Sequence, residues 1–185
     1  MPRPFRLWFP IASSMRHVVR YLSVMLIAAL AGIAAARADA TGSVSGLPIP
    51  RYVSLKADKV NMHIGPAKNY ETKWVYQRAG LPVEITAEFE NWRKIRDSDG
   101  TEGWVYHSLL SGRRTGVVTA KSKDELIALH KKPDVKSDIA AQLQPGVLAL
   151  VKRCNTNWCR VAGQGFDGWI PQERLWGVYP NERVE

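Results

Sequence analysis

The chain has 185 residues, of which 45% are hydrophobic and 23% are charged, as in an ordinary folded protein. It carries 26 lysine and arginine residues against 17 acidic residues, a formal charge of +9 at pH 7, and only two cysteines. This composition excludes a long disordered or collagen-like chain. The length accommodates one or two small domains but leaves little room for a large barrel or a two-lobed enzyme.

The first 40 residues have the features of a secretory signal peptide. A basic segment ending at Arg20 precedes an apolar run from Tyr21 to Ile33, and small residues continue to Ala40. We predict cleavage after Ala40, with cleavage after Ala38 as the alternative. The apolar run is shorter than the roughly 20 residues that a membrane-spanning helix needs, so an uncleaved anchor helix is the less favoured interpretation.

Removal of this segment changes what the charge implies. A signal peptide starting at Met15 would be complete, so Met15 is a candidate for the true start. Residues 1–40 hold five basic residues and one acidic residue, and the charge of the remaining chain is therefore +5. We predict a periplasmic or secreted protein. Export disfavours nucleic acid as a partner and leaves at most a weak electrostatic contact with a membrane surface.

The remaining chain contains two copies of one sequence unit, offset by 65 or 66 positions. Eight identities fall within about 32 aligned positions, against roughly two expected by chance from average composition. In the first copy they are Gly80, Asn91, Trp92, Gly100, Gly103, Trp104, Leu110 and Gly112. The repeat predicts two small domains of the same fold.

The pattern within each copy is typical of short strands. Apolar and polar residues alternate from Leu81 to Phe89, which predicts a strand with one face on a core. Glycine-containing segments between such runs predict hairpin turns, and the best helical segment, 122–129, is followed closely by Pro133. We predict an all-β fold of two tandem small β-barrels: a flexible leader at 41–50, a first domain at 51–114, a linker at 115–121 and a second domain at 122–180.

These motifs resemble the bacterial SH3-like domain (SH3b), in particular that of exported proteobacterial proteins. The most specific element is Gly100, Gly103, Trp104 and Val105, and the second copy keeps a divergent form of it at 165–170. The resemblance covers nearly all of the chain after residue 40. It implies SH3-like barrels and a binding module, and it identifies a fold better than an activity.

The two cysteines lie on either side of a predicted tight turn. With Thr156 and Asn157 as the turn residues, Cys154 and Cys159 face each other at a non-hydrogen-bonded pair, where a disulfide fits. Export into an oxidising compartment favours the bridge, and two buried thiols are the alternative. The cysteine spacing does not fit a zinc site, and the histidines after residue 40 are not paired at helical spacing. We therefore predict no metal and no cofactor.

Aromatic residues supply the candidate binding site. Tyr52, Tyr70, Trp74 and Tyr106 are predicted to line a shallow groove like the peptide-binding face of SH3-type domains. The tryptophans that recur between copies are instead predicted to pack in the cores. Basic residues cluster around the linker and the second copy, where a solvated face is favoured over weak attraction to anionic envelope polymers. They are Arg113, Arg114, Lys121, Lys123, Lys131, Lys132, Lys136, Lys152 and Arg153.

The function predicted from the sequence is a non-catalytic, exported binding module of the bacterial cell envelope. Its expected partner is peptidoglycan or an envelope protein or peptide, and the sequence makes no prediction of oligomeric state. The alternative is a cell-wall hydrolase or its accessory subunit. A separate catalytic domain would need well over a hundred further residues, on the order of a typical domain, whereas the two repeats fill the chain. We therefore predict no enzyme activity and no catalytic residue.

Overall fold

The computed structural model describes residues 40–185. The predicted signal segment lies outside the described residues, except that Ala40 begins the first strand. The described residues lie in one compact unit that contains both repeats. Within the described part of the chain, no helix is long and apolar enough to cross a membrane.

The first repeat follows a short hairpin of β1 (Ala40–Thr41) and β2 (Pro48–Ile49). Its seven strands are β3 (Arg51–Leu55), β4 (Val60–His63), β5 (Thr72–Tyr76), β6 (Pro82–Phe89), β7 (Trp92–Arg96), β8 (Glu102–Tyr106) and β9 (Leu110–Ser111). They form one antiparallel sheet in the order β5-β4-β8-β7-β6-β3-β9. A single 3-10 turn, His107–Leu109, connects β8 to β9.

The second repeat has the same seven strands in the same order. They are β10 (Thr115–Val118), β11 (Ile127–His130), β12 (Ile139–Leu143), β13 (Leu148–Cys154), β14 (Trp158–Gly163), β15 (Phe166–Pro171) and β16 (Leu175–Trp176). Their order is β12-β11-β15-β14-β13-β10-β16, and a 3-10 turn, Gln172–Arg174, again precedes the last strand. The all-β class and the tandem arrangement are therefore confirmed.

The sequence predicted two β-barrels, but neither sheet closes on itself. The last strands, β9 and β16, are each two residues long and pair only with β3 and β10. Within the described residues, the opposite edge strands β5 and β12 pair with β4 and β11 alone. A two-residue strand offers too few hydrogen bonds to bridge both edges, so each repeat is an open, folded sheet.

Three local predictions also differ from the structure. The predicted linker 115–121 is largely strand β10, which pairs with β13 and β16 and so belongs to the second domain. The segment 122–129, the best helical candidate, ends in strand β11 because its apolar residues pair with β12 and cover the core. The leader 41–50, predicted to be flexible, forms the β1–β2 hairpin.

Each repeat encloses its own apolar core. The first is built on fully buried residues of five strands: Leu55, Val60, Met62, Val83, Ile85, Ile95 and Val105. The second uses matching positions, among them Val118, Leu129, Ala149, Val151, Val161 and Ile170. Gly103 and Gly168, the repeated motif glycines, let β8 and β15 approach β4 and β11 closely. A Cβ at either would lie 2.8 Å from the carbonyl oxygen of His63 or His130.

A β-bulge in β6 changes which side chains point inward. The register with β7 shifts between Ile85 and Ala87, and the extra residue reverses the alternation beyond it. Phe89, predicted to face the core, is exposed, whereas the side chain of Glu88 is 0% exposed. Glu88 forms ion pairs with Arg51 and Arg93 at 2.8 and 3.4 Å.

The two repeats pack on each other through aromatic and hydrogen-bonded contacts. The Tyr52 ring lies 5.3 Å from that of Trp176 and 4.6 Å from that of Tyr179. The Tyr179 hydroxyl donates to the buried Glu84 carboxylate at 2.8 Å, and Thr115 donates to the Gly80 carbonyl at 2.7 Å. Burial, and secondarily the Glu84 charge, raises the pKa of Tyr52 to about 12.

Candidate functional site

An open groove on the first repeat is the best candidate for a ligand site. We call it the aromatic groove, and its walls are His63, Trp92 and Tyr106 with Lys59 and Lys68 at its margin. Asn61, Ser108 and Leu109 complete its lining. The cavity has a volume of about 430 Å³, which falls within the range of small-ligand sites.

Three strand ends position the aromatic walls. Trp92 begins β7 and Tyr106 ends β8, where the two residues are direct partners with ring centroids 5.5 Å apart and nearly perpendicular. His63 ends β4 at a register shift, and its ring meets the Trp92 ring edge-to-face at 5.4 Å. His63 Nδ1 lies 2.8 Å from the Tyr70 carbonyl oxygen. Because a carbonyl only accepts, Nδ1 carries the proton and the ring is held in one orientation.

The electrostatic character of the aromatic groove is positive. The Lys68 ammonium lies 6.0 Å from the centroid of the Tyr106 ring, at the limit of a cation–π contact. Among the described residues, neither Lys59 nor Lys68 forms an ion pair, and none of those that line the groove is acidic. A ligand would therefore meet flat apolar surfaces next to two free positive charges.

The second repeat repeats the histidine–tryptophan pair but changes its surroundings. His130 and Trp158 meet edge-to-face at 5.5 Å, and His130 Nδ1 lies 3.0 Å from the Ser137 carbonyl oxygen. The adjoining cavity, of about 670 Å³, is lined by Val135, Pro171 and Glu173 and by residues of the C-terminal segment, among them Pro180. The same framework therefore carries a neutral to acidic surface in the second repeat.

The structure does not bring the four predicted groove residues together. Tyr52 is 9% exposed and is buried against the second repeat. Tyr70 is exposed and touches the aromatic groove only through its carbonyl, which holds His63. Trp74 is 56% exposed and borders a different cavity of about 280 Å³. Only Tyr106 lines the aromatic groove.

The cavity beside Trp74 differs in chemistry from the aromatic groove. Asp97, Asp99, Pro82 and Val117 line it, so it is bounded by both repeats and by two acids. The Tyr76 hydroxyl donates to Asp97 there at 3.0 Å. Burial, and then the Asp97 charge, raises the pKa of Tyr76. The hydroxyl therefore stays protonated, and Tyr76 is part of the lining of this cavity.

Of the eight residues that line the aromatic groove, the sequence interpretation identified only Tyr106 and missed, among others, His63, Lys59 and Lys68. The histidine could have been found, because His63 and His130 occupy matching positions at an offset of 67. Trp92 was predicted to pack in the core; it is 7% exposed, and it also lines the groove. The two lysines lie outside the strands, where periodicity carries no information.

The predicted basic cluster is partly neutralised. Arg114 pairs with Glu182 at 2.6 Å, and Lys152 pairs with Asp167 at 2.7 Å. Arg153 stacks over the Trp169 ring at 4.9 Å, beside a cleft that Lys131, Lys132 and Lys152 also line. Three of the nine basic residues therefore have acidic partners, namely Arg114, Lys131 and Lys152.

The predicted disulfide is confirmed. Cys154 and Cys159 are bonded, with Cα atoms 4.1 Å apart, across the turn of Thr156 and Asn157. Cys154 makes its own backbone hydrogen bonds to Val184 on the other side, as expected for a non-hydrogen-bonded pair in the hairpin. In residues 40–185, no three His, Cys, Asp or Glu side chains come together as a metal site.

Two seven-stranded sheets of identical order, each with a histidine–tryptophan pair at the same strand ends, define a tandem SH3-like protein. The chain belongs to the bacterial SH3 domain family, whose model matches residues 56–112 and 123–177. The family model therefore covers both repeats and more than half of the chain.

Solved structures give a weaker likeness. NlpC2 from Trichomonas vaginalis is 13% identical, with a TM-score of 0.31, over 69% of this chain and 48% of that one. NlpC1 from the same organism is 12% identical, with a TM-score of 0.30, over 73% and 48%. The chain thus spans about half the length of these two proteins. No similar sequence was found among the curated proteins.

Proposed function

We propose that this protein is a non-catalytic, exported binding module of the bacterial cell envelope, and that its aromatic groove holds the ligand. Its partner is peptidoglycan, through the stem peptides, or a peptide segment of an envelope protein. Membership of the bacterial SH3 domain family supports a binding role. The location in the envelope rests on the signal-peptide pattern of the sequence.

The observation that carries the proposal is the open aromatic groove itself. Peptide-binding domains of this size commonly receive an extended chain on flat aromatic side chains, with polar groups nearby to fix its direction. Trp92 and Tyr106 supply two such rings at right angles, and Asn61 and Ser108 supply polar groups. His63 is fixed by the Tyr70 carbonyl, so the groove is preformed and loses little entropy when it binds.

The cysteine chemistry supports a non-catalytic role. A thiol hydrolase needs a free thiolate as its nucleophile. This chain has two cysteines, and they are joined to each other at the hairpin of β13 and β14. Neither is available to attack a peptide bond while the bridge is intact.

Co-sedimentation with purified peptidoglycan sacculi tests the proposal. The protein should sediment with sacculi, and Tyr106→Ala should reduce the bound fraction severalfold while the circular dichroism spectrum is unchanged. Trp74→Ala is the matched control, because it removes an exposed aromatic ring that borders a different cavity. Equal losses for both variants would exclude the aromatic groove as the specific site.

A turbidity assay on the same sacculi separates the module from the hydrolase alternative. A binding module should leave the turbidity unchanged over hours, also in the presence of a reductant that opens the disulfide. Clearing of the suspension by the purified protein would contradict the proposal and would favour a hydrolase.

A further inference from the structure

We propose that the aromatic groove selects ligands that carry a carboxylate next to an apolar or planar group. This inference rests on the proposed function, because the same groove is the binding surface. It adds the chemical class that the groove prefers, which neither the family nor the fold specifies.

The charge around the cavity is positive and is not balanced by acids in its described lining. Lys59 and Lys68 line it, and none of its described lining residues is acidic. The nearest acid in sequence, Asp58, is engaged elsewhere, since its carboxylate accepts a hydrogen bond from the Ala79 N–H at 3.2 Å. Two ammonium groups without an internal partner make an anion the complementary ligand.

The lysines of the groove lie next to its aromatic rings. The Lys68 ammonium lies 6.0 Å from the centroid of the Tyr106 ring, so a group that packs on Tyr106 comes within reach of its charge. Apolar walls exclude water and strengthen a charge contact at their margin. A ligand that carries both an apolar group and a carboxylate would contact the rings and the lysine charges at the same time.

The second repeat carries other residues at the positions of the two lysines. Lys59 and Leu126 match because each immediately precedes the equivalent strand, β4 or β11. Lys68 and Val135 match because the β4–β5 and β11–β12 loops have equal lengths. At the 3-10 turn, Ser108 matches Glu173. The fold therefore does not require these lysines, and the second repeat has lost both charges and gained an acid.

The lining of the groove also favours one type of anion. Unmodified peptides and the stem peptides of peptidoglycan carry their negative charge as carboxylates. The groove presents two separate ammonium groups and no guanidinium among its described lining residues, so it meets an anion as point charges rather than as a planar fork. Carboxylate is thus the anion that fits both the site and the proposed partners.

Two small probes test the preference on the intact protein. N-acetylphenylalanine has a free carboxylate, and N-acetylphenylalanine amide is its neutral counterpart. Each is titrated at low salt while the NMR signals of Trp92, Tyr106 and His63 are followed. The acid should reach half-saturation at a concentration about three- to tenfold lower than the amide, as expected for one or two exposed charge contacts.

Charge variants identify the source of the preference. Lys59→Gln combined with Lys68→Gln should remove the difference between acid and amide. Lys121→Gln combined with Lys123→Gln is the matched control; it removes the same charge from exposed positions outside the groove and should keep the difference. The proposal is overturned if acid and amide bind equally, if the groove variant keeps the preference, or if the acid moves no groove signal.

Amidated sacculi separate this inference from the proposed function. Coupling of methylamine with a carbodiimide converts peptidoglycan carboxylates to neutral amides. Loss of sedimentation on amidated sacculi supports the inference, whereas equal binding to native and amidated sacculi overturns it and leaves the proposed module intact. Selection of the acid probe without any binding to native sacculi would instead contradict peptidoglycan as the partner and leave the carboxylate preference standing.

Discussion

The β6–β7 hairpin of the first repeat and the β13–β14 hairpin of the second are cross-linked at equivalent positions, but by different kinds of bond. In β6 and β7, Glu88 faces Arg93 and the two form an ion pair; in β13 and β14, Cys154 faces Cys159 and the two form a disulfide. The turns are of the same length. A duplicated hairpin can therefore keep its geometry while the bond across it changes from an ion pair to a disulfide. We call the Glu88–Arg93 ion pair the electrostatic lock and the Cys154–Cys159 disulfide the covalent lock.

Each lock also includes a residue that binds a terminal segment of the described chain. Glu88 accepts hydrogen bonds from the Val44 and Ser45 N–H groups at 3.0 and 2.8 Å and from the Ser45 hydroxyl at 2.6 Å, which fastens the β1–β2 hairpin. Cys154 pairs through its backbone with Val184 of the C-terminal segment. The electrostatic lock should therefore respond to acid and the covalent lock to reductant.

Removal of Glu88 should have the largest effect. Glu88→Ala leaves Arg51 and the largely buried Arg93 without their carboxylate, and breaking a buried pair in this way costs about 3 kcal/mol. Urea unfolding followed by tryptophan fluorescence measures the loss. Glu71→Ala, at an exposed glutamate, is the control and should change stability little. A loss below that of the control would mean that the ion pairs do not lock this hairpin.

Opening the disulfide should have the next largest effect. Cys154→Ala combined with Cys159→Ala should lower the free energy of unfolding by about 2 kcal/mol, because a loop this short restricts the unfolded chain only modestly. The same urea titration measures it, and reductant added to the unmodified protein should reproduce the loss. Reductant should have no effect on the double variant. A reductant effect of equal size there would place its action outside this bond.

The contact between the repeats should contribute less than either lock. Tyr179→Phe removes the hydroxyl that donates to the buried Glu84 carboxylate, while Arg96 still pairs with Glu84. The expected loss is about 1 kcal/mol, the usual net value of one hydrogen bond. Tyr70→Phe, at an exposed ring, is the control. Equal effects in the two variants would argue against a stabilising role of the Tyr179–Glu84 contact.

The sequence predicted the features that depend on local pattern. The repeat, the all-β class and the register of the Cys154–Cys159 hairpin follow from spacing and alternation over a few residues. Contacts between distant segments were not predictable in this way. Tyr52 was expected in a groove because its partners, Trp176 and Tyr179, lie more than 120 residues further along the chain. The prediction of a linker at 115–121 was wrong for the same reason, because β10 becomes a strand by pairing with segments that are distant in the sequence.

Lowering the pH should have the smallest effect on stability. It should weaken the electrostatic lock and leave the covalent lock unchanged. Burial alone would raise the pKa of Glu88, but the hydrogen bonds from Ser45, Arg51 and Val44 outweigh it and lower the pKa to about 2 from the ordinary 4.5. The folded state therefore binds its proton less readily than the unfolded chain. The stability that Glu88 contributes is complete above pH 4.5 and is lost as the pH falls towards 2. Between pH 7 and pH 4, only a fraction of the loss in Glu88→Ala should appear.

The variant Glu88→Gln makes this measurement specific. It keeps the shape of the side chain but cannot ionise, so its stability should fall less than that of the unmodified protein between pH 7 and pH 4. Removal of the cysteines should leave the pH dependence unchanged, since the disulfide does not titrate. If Glu88→Gln and the unmodified protein showed the same pH dependence, other carboxylates would account for it. The first hairpin would then not be locked by a titratable group, and the contrast with the second repeat would be lost.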